Sequence, residues 1–106
     1  MKLNTDLLLG DITVKYGSKS YGSARVALAY DCIFYAEEWF NNPTGHAAIS
    51  GESPRKIRKD LKRYVTKRVR LARYKEKYGI IPSFIWWFVA KAVINWIINR
   101  IIDEYL

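Results

Sequence analysis

Basic side chains recur along one stretch of the chain at spacings that bring them together on a helix. At 3.6 residues per turn, six of them fall on one side with no acidic residue among them. These six are Lys59, Lys62, Arg63, Arg70, Arg73 and Lys77. The row would be about 27 Å long, and each cation in it can displace a counterion condensed on a nucleic acid. We therefore predict salt-sensitive, sequence-independent binding of a nucleic-acid backbone.

The same row of cations is compatible with other partners. An anionic lipid surface attracts clustered lysines and arginines in the same way, and so does an acidic protein. A solvated basic face without any partner is the simplest alternative. Tyr74 borders the row and is suited to stacking on an exposed base, which favours nucleic acid among these partners.

The other reactive residue types do not combine into a catalytic or metal site. The chain has one cysteine, Cys32, and one histidine, His46. It therefore lacks the residues for an internal disulfide, a multi-cysteine zinc site or a two-histidine metal site. Glu37 and Glu38 are neighbours, and on a helix they point about 100° apart, so they are poorly placed to act as an acid–base pair. We expect no enzymatic activity, no metal site and no cofactor.

The charge is confined to one element of an otherwise near-neutral chain. The 106 residues carry a net charge of +8 and are 50% hydrophobic, as expected of one ordered domain spanning residues 1–106. Residues 54–78 hold twelve cations and two acids, a net of +10, which leaves −2 on the other 81 residues. The predicted binding of an anionic partner is therefore assigned to residues 54–78.

Three helices are predicted, over residues of about 24–40, 54–78 and 83–104. Asn42–Pro43 ends the first, because proline disfavours helical geometry in the residue before it. Residues 42–53 form a loop, after which Ser53–Pro54 is a good helix start. The short link between the second and third helices predicts a C-terminal αα-hairpin. Arg68 and Lys75 fall on the apolar side of the second helix and must snorkel or pair. Glu37 and Glu38 are expected to be solvated or to pair with the basic helix.

The N-terminal residues 1–22 are predicted to form a β or loop segment. Ile12, Val14 and Tyr16 alternate with polar residues, the period of a half-buried strand, so we expect a short strand or hairpin there. Leu7–Leu9 is too short an apolar run for a signal peptide. We therefore expect no signal-peptide secretion and a location inside a cell or a viral particle. The fold class is mainly α.

The first and third helices are apolar around most of their circumference. A chain of this size can barely cover that much apolar surface, so we predict that these helices pack against partner subunits. The residues predicted to do so are Trp39, Phe40, Phe84, Trp86, Trp87, Trp96, Ile97 and Ile101. The third helix is long enough to span a bilayer, but Lys91 at its midpoint would cost about 2.5–3.5 kcal/mol. We expect it to be packed in protein, with a membrane-interface position as the alternative.

These observations predict a non-enzymatic small structural subunit of a large assembly, either virion-like or a ribonucleoprotein. Its apolar helices would bind other protein subunits, and its basic helix would contact nucleic-acid phosphates. Two alternatives remain. One is a peripheral membrane protein that places the aromatic C-terminal helix and the basic helix on anionic lipid. The other is a free nucleic-acid-binding regulator.

Overall fold

The structure, a computed structural model, describes residues 2–42, 53–71 and 80–105, and these residues form four helices. They are α1 (Thr5–Tyr16), α2 (Gly22–Asn41), α3 (Pro54–Leu71) and α4 (Ser83–Tyr105). Helices α2 and α4 pack against each other, and each also contacts both α1 and α3. The mainly-α class is confirmed. The prediction of three helices with an N-terminal strand is wrong, since the described residues contain a fourth helix and no strand.

Helix α1 occupies the segment where a strand was predicted. The Asn4 side chain caps it by accepting a hydrogen bond from the Leu7 N–H at 3.1 Å. Leu8 and Ile12 lie one turn apart and are fully buried, whereas Val14 is 88% exposed. The buried positions therefore repeat every four residues and not every two. The alternation that suggested a strand does not correspond to a buried face.

A tight turn over residues 17–21 joins α1 to α2, where the sequence suggested a possible hairpin. Tyr21 adopts a left-handed backbone conformation with φ of 57°, and the Gly22 N–H donates to the Lys19 carbonyl at 3.0 Å. A β-carbon on Gly22 would lie 2.3 Å from the Gly17 carbonyl oxygen. Only glycine can occupy this position without a steric clash, so Gly22 allows α1 and α2 to be joined by this short turn.

Helix α2 is the central element, and most of its apolar circumference is covered by the chain itself. Helices α1, α3 and α4 all contact it. Nine of its residues are buried: Gly22, Ala24, Leu28, Ala29, Cys32, Ile33, Ala36, Trp39 and Phe40. The helix ends at Asn41, and Asn42 is extended with ψ of 136°, as predicted from the proline that follows. Much of the surface that indicated an external partner is thus internal.

Helices α3 and α4 pack side by side and run antiparallel. Helix α3 begins after Ser53, whose hydroxyl accepts a hydrogen bond from the Lys56 N–H at 3.3 Å. Arg70, near the end of α3, stacks on Trp87, near the start of α4. This arrangement is that of the expected hairpin, but the predicted continuation of the helix through residues 72–78 lies outside the described residues.

Helix α4 buries eight side chains in the core. In the described part of the chain it is the one helix long and apolar enough to cross a bilayer by length and composition, and 44% of that stretch is buried inside the protein. Its buried residues are Val89, Ala90, Val93, Ile94, Ile97, Ile98, Ile101 and Ile102. They form one side of the helix and contribute to the single core shared by all four helices.

Candidate functional site

The rotation of α3 is set by apolar residues at helical spacing. Ile57, Leu61 and Val65 are four residues apart and at most 3% exposed, and they hold α3 against α2 and α4. The side of α3 turned away from this core must therefore face solvent. Seven of the cations on this side are here called the cationic face: Arg55, Arg58, Lys59, Lys62, Arg63, Lys67 and Arg70.

Among the residues that the structure describes, no acidic side chain forms an ion pair with the cationic face. The structure records ion pairs for Arg68 and Arg100, but within residues 2–42, 53–71 and 80–105 it records none for the seven cations. Asp60 is the only acid in the sequence of α3. Clustered like charges repel one another and attract anions at long range. The face is therefore electrostatically suited to an anionic partner.

Arg68 lies on a different side of α3 and is paired within the chain. Its Nη2 donates to the Tyr64 hydroxyl at 3.0 Å, and that hydroxyl donates to Glu38 Oε2 at 2.7 Å. Arg68 Nε also lies 3.9 Å from the same Glu38 oxygen. Arg68, for which the sequence left snorkelling or pairing open, is thus paired with Glu38 of α2.

The pKa values of this network reflect its partners. The hydrogen bond with Tyr64 is the main reason that the pKa of Arg68 is raised, and the charge of Glu38 raises it further. Partial burial is the main reason that the pKa of Tyr64 is raised, followed by its hydrogen bond to Glu38. Both shifts favour the protonated forms, in which Arg68 and Tyr64 donate the hydrogen bonds that link α3 to Glu38 of α2.

A groove of about 450 Å³ runs between the cationic face and α4. Its α3 wall carries four cations, and its α4 wall carries Asn95, Ile98 and Asn99. The side-chain amides offer hydrogen-bond donors and acceptors next to the positive charges. The groove can therefore hold an anionic group such as a phosphate, with charge from α3 and hydrogen bonds from α4.

A second, shallower depression lies along α3 itself, with a volume of about 490 Å³. It is lined by Lys59, Lys62, Arg63, Thr66, Lys67 and Arg70. At its end the Arg70 guanidinium carbon lies 4.3 Å from the centre of the Trp87 ring, a cation–π contact. This contact joins the end of the cationic face to the beginning of α4.

The predicted nucleic-acid-binding residues divide into two groups. Lys59, Lys62, Arg63 and Arg70 share the surface just described, whereas Arg73 and Lys77 lie outside the described residues. Arg55, Arg58, Lys67, Asn95 and Asn99 also lie on this surface and were not predicted from the sequence. The two asparagines could be recognised in the sequence as polar residues that recur every four positions along α4. Their contribution to the groove, however, requires that α3 lies beside them.

Most of the residues predicted to pack against partners lie within the chain's own core. Phe40, Ile97 and Ile101 are fully buried, and Trp39 is 8% exposed. Trp86, Trp87 and Trp96 are partly buried against the core. Phe84, at 83% exposure, is the one of the eight that lies mainly on the surface. The physical reason is that α2 and α4 bury their apolar sides against each other.

The remaining reactive groups do not form a chemical site in the described structure. Cys32 is buried, and burial raises the pKa of its thiol, with Asp31 raising it further, so the reactive thiolate is disfavoured. Among residues 2–42, 53–71 and 80–105, no group of three or more His, Cys, Asp or Glu side chains could hold a metal ion. His46 lies outside these ranges.

Comparison of the chain with protein-family models, with curated proteins and with solved structures gave no match. The features of the four helices that bear on function are therefore the cationic face of α3, the groove beside it and the exposed residues of α4.

Proposed function

We propose that this chain is a non-enzymatic structural component of an assembly that contains nucleic acid. The cationic face of α3 contacts the phosphate backbone in this proposal. The observation that carries it is a helix face with seven cations that have no ion-pair partner in the described parts of the chain. Concentrated positive charge on an otherwise near-neutral protein is the electrostatic signature of a nucleic-acid-binding element.

The dimensions of the face suit a polyanion with regularly spaced charges. From Arg55 to Arg70 the helix rises about 22 Å, the length of about six nucleotide steps in a stacked strand. Lysine, arginine and asparagine side chains all contribute to phosphate contacts in known complexes. Such contacts position a protein on the backbone without reading sequence, so the binding is sequence-independent.

Exposed apolar residues away from α3 support the assembly part of the proposal. Tyr30 and Phe34 are one turn apart on α2 and are 52% and 60% exposed. Apolar side chains clustered on a surface are characteristic of protein–protein contacts. In the proposed assembly they would contact neighbouring subunits.

The test compares two triple charge reversals with the same change in net charge. One variant combines Lys59→Glu, Lys62→Glu and Arg63→Glu on the cationic face. Its matched control combines Lys2→Glu, Lys15→Glu and Lys19→Glu, all exposed positions on or beside α1. Fluorescence anisotropy with labelled 20-nucleotide single strands and 20-base-pair duplexes at 100 mM NaCl gives the Kd values. Circular dichroism verifies that both variants remain helical.

The cationic-face variant should weaken binding at least about 100-fold, because it replaces three phosphate contacts with repulsion. The control should weaken it by less than about tenfold. Equal losses would mean that only net charge matters and would contradict a specific role for the face. Absence of nucleic-acid binding by the wild type, together with binding to vesicles of anionic phospholipid, would replace the proposal with the membrane alternative.

A further inference from the structure

One side of α4 continues the groove toward the beginning of the helix. At about 100° per residue, Phe84, Phe88, Lys91, Asn95 and Asn99 fall within about 40° of a common direction. The two asparagines of this strip line the groove beside α3. Phe84 and Phe88 are 83% and 76% exposed on the same strip. They are therefore surface aromatic rings in line with the groove.

The antiparallel packing places this strip alongside the cationic face. Arg55 and Arg58 share the groove with Asn99 at one end, and Arg70 contacts Trp87 at the other. The result is two rows of side chains that lie side by side. One consists of the positive charges on α3, and the other of the amides and aromatic rings on α4. Each is about 22 Å long.

These two rows of side chains fit single-stranded nucleic acid better than a duplex. In a duplex the bases are stacked inside and only their edges are accessible, so exposed phenylalanine rings have no base face to contact. A single strand offers both its phosphates and the faces of its bases. Known single-strand-binding proteins combine a positive groove with aromatic rings on which bases stack.

We propose that the strip on α4 binds the bases of single-stranded nucleic acid, with Phe84 and Phe88 as stacking platforms, while the cationic face binds the phosphates. This inference rests on the proposed function and specifies its ligand. The two rings are one turn apart, about 6 Å along the helix, which allows each to contact a different base. Asn95 and Asn99 provide hydrogen bonds to base edges or phosphates farther along the strip.

The distribution of apolar residues on α4 favours this ligand over a lipid surface. A helix lying in a membrane interface needs an exposed apolar face along its length. Beyond Phe88 the exposed strip of α4 becomes polar at Lys91, Asn95 and Asn99, while the apolar side of the helix is buried in the core. Ile80, 74% exposed, adds apolar surface only at the start of the helix.

The experiment replaces both phenylalanines by leucine, in the double variant Phe84→Leu with Phe88→Leu. Leucine keeps an apolar side chain suited to lipid but has no aromatic face for stacking. The matched control is Tyr30→Leu with Phe34→Leu, two exposed aromatics at the same spacing on α2. Anisotropy measures the Kd for a 20-nucleotide oligo-dT and for a 20-base-pair duplex, and sedimentation measures binding to anionic phospholipid vesicles.

We expect the wild type to bind the single strand at least about tenfold more tightly than the duplex. The Phe84/Phe88 variant should lose at least about tenfold on the single strand, since stacking on two rings is removed. Its duplex affinity should change by less than about twofold. A variant with tryptophan at both positions should bind the single strand normally, and the α2 control should behave as the wild type.

Two outcomes would overturn the inference. If the leucine variant binds single strands normally while the triple reversal on the cationic face still abolishes binding, the stacking role fails and the proposed function stands. If the wild type binds vesicles but neither oligonucleotide, both fail and lipid is the partner.

Discussion

Two sides of α3 carry the same types of basic residue in different surroundings. On the side toward α2, Arg68 is held by Tyr64 and Glu38. On the cationic face, Lys59 and Lys62 have no acid partner among the described residues. The difference shows that the position of a cation on the helix, and not its type, decides whether it connects helices or remains available to bind a partner.

Arg100 follows the pattern of Arg68. It donates to Asp11 of α1 from Nε, and its Nη2 lies 2.8 Å from the same carboxylate. Its Nη1 also contacts Glu104, one turn along α4, at 3.0 Å. The hydrogen bonds to Glu104 and Asp11 are the main reasons that the pKa of Arg100 is raised. The arginines that connect helices are thus paired with acids, whereas the seven cations of the cationic face have no ion-pair partner among residues 2–42, 53–71 and 80–105.

The largest effect is expected where α3 meets the core. Leu61 is fully buried, so Leu61→Ala should lower the free energy of unfolding by about 2–5 kcal/mol through lost burial and a residual cavity. Lys62→Ala, at the next residue on the outer side, should change it by less than about 0.5 kcal/mol. Urea unfolding followed by circular dichroism measures both. Similar losses in the two variants would show that the inner and outer sides are not distinct.

The next effect concerns affinity for a single-stranded oligonucleotide. Lys62→Gln removes one cation from the cationic face and should weaken binding about fivefold at 0.1 M salt, the value for releasing one counterion fewer. Arg68→Gln removes the same charge from the paired side and should change the Kd by less than about twofold. An equal loss in both variants would remove the distinction between the two sides.

A smaller effect is expected on the paired side. Glu38→Gln removes the acid that holds Arg68 and Tyr64, and partly exposed ion pairs contribute little to stability. We expect the Tm to fall by about 1–3 °C, with unchanged oligonucleotide affinity. Differential scanning calorimetry provides the first value and anisotropy the second. A loss of affinity in this variant would show that the Glu38 side also contributes to binding.

The smallest effect is in the pH dependence of stability. The pKa of Tyr64 is raised above its ordinary value of 10.0, first by burial and then by Glu38. Its contribution to stability is therefore complete below pH 10.0 and is lost as the pH rises through the folded-state pKa. Urea unfolding between pH 9 and 11 should show a steeper loss for the wild type than for Tyr64→Phe. Parallel curves would contradict this role.

The sequence allowed the prediction of α3 but not of α1. In α3, strong alternation of charged and apolar residues at helical spacing identifies both the helix and its outer side. In α1, the apolar residues also fit a strand over part of the segment, and only the burial of Leu8 and Ile12 distinguishes the two. The close approach at Gly22 depends on a three-dimensional contact with Gly17, which no local pattern reveals.

The candidate site was predictable only in part for a similar reason. The charges of Lys59, Lys62 and Arg63 could be assigned to one face from spacing alone. Asn95 and Asn99 form the other wall of the groove because α4 lies beside α3. Residue spacing within one helix does not show which helices are neighbours. The buried aromatic and aliphatic residues of α2 and α4 were predicted to face a partner. The sequence of an apolar helix does not show whether its own chain or another subunit buries it.

The most direct test of the distinction between the two sides of α3 is the salt dependence of binding. The Kd of the wild type for a 20-nucleotide single strand is measured between 50 and 300 mM NaCl. If four to seven cations of the face contact phosphates, log K should fall linearly with log salt, with a slope of about −3 to −5. Arg68→Gln should leave this slope unchanged, and Lys62→Gln should reduce it by about 0.7. A wild-type slope shallower than about −1 would contradict phosphate binding by the cationic face.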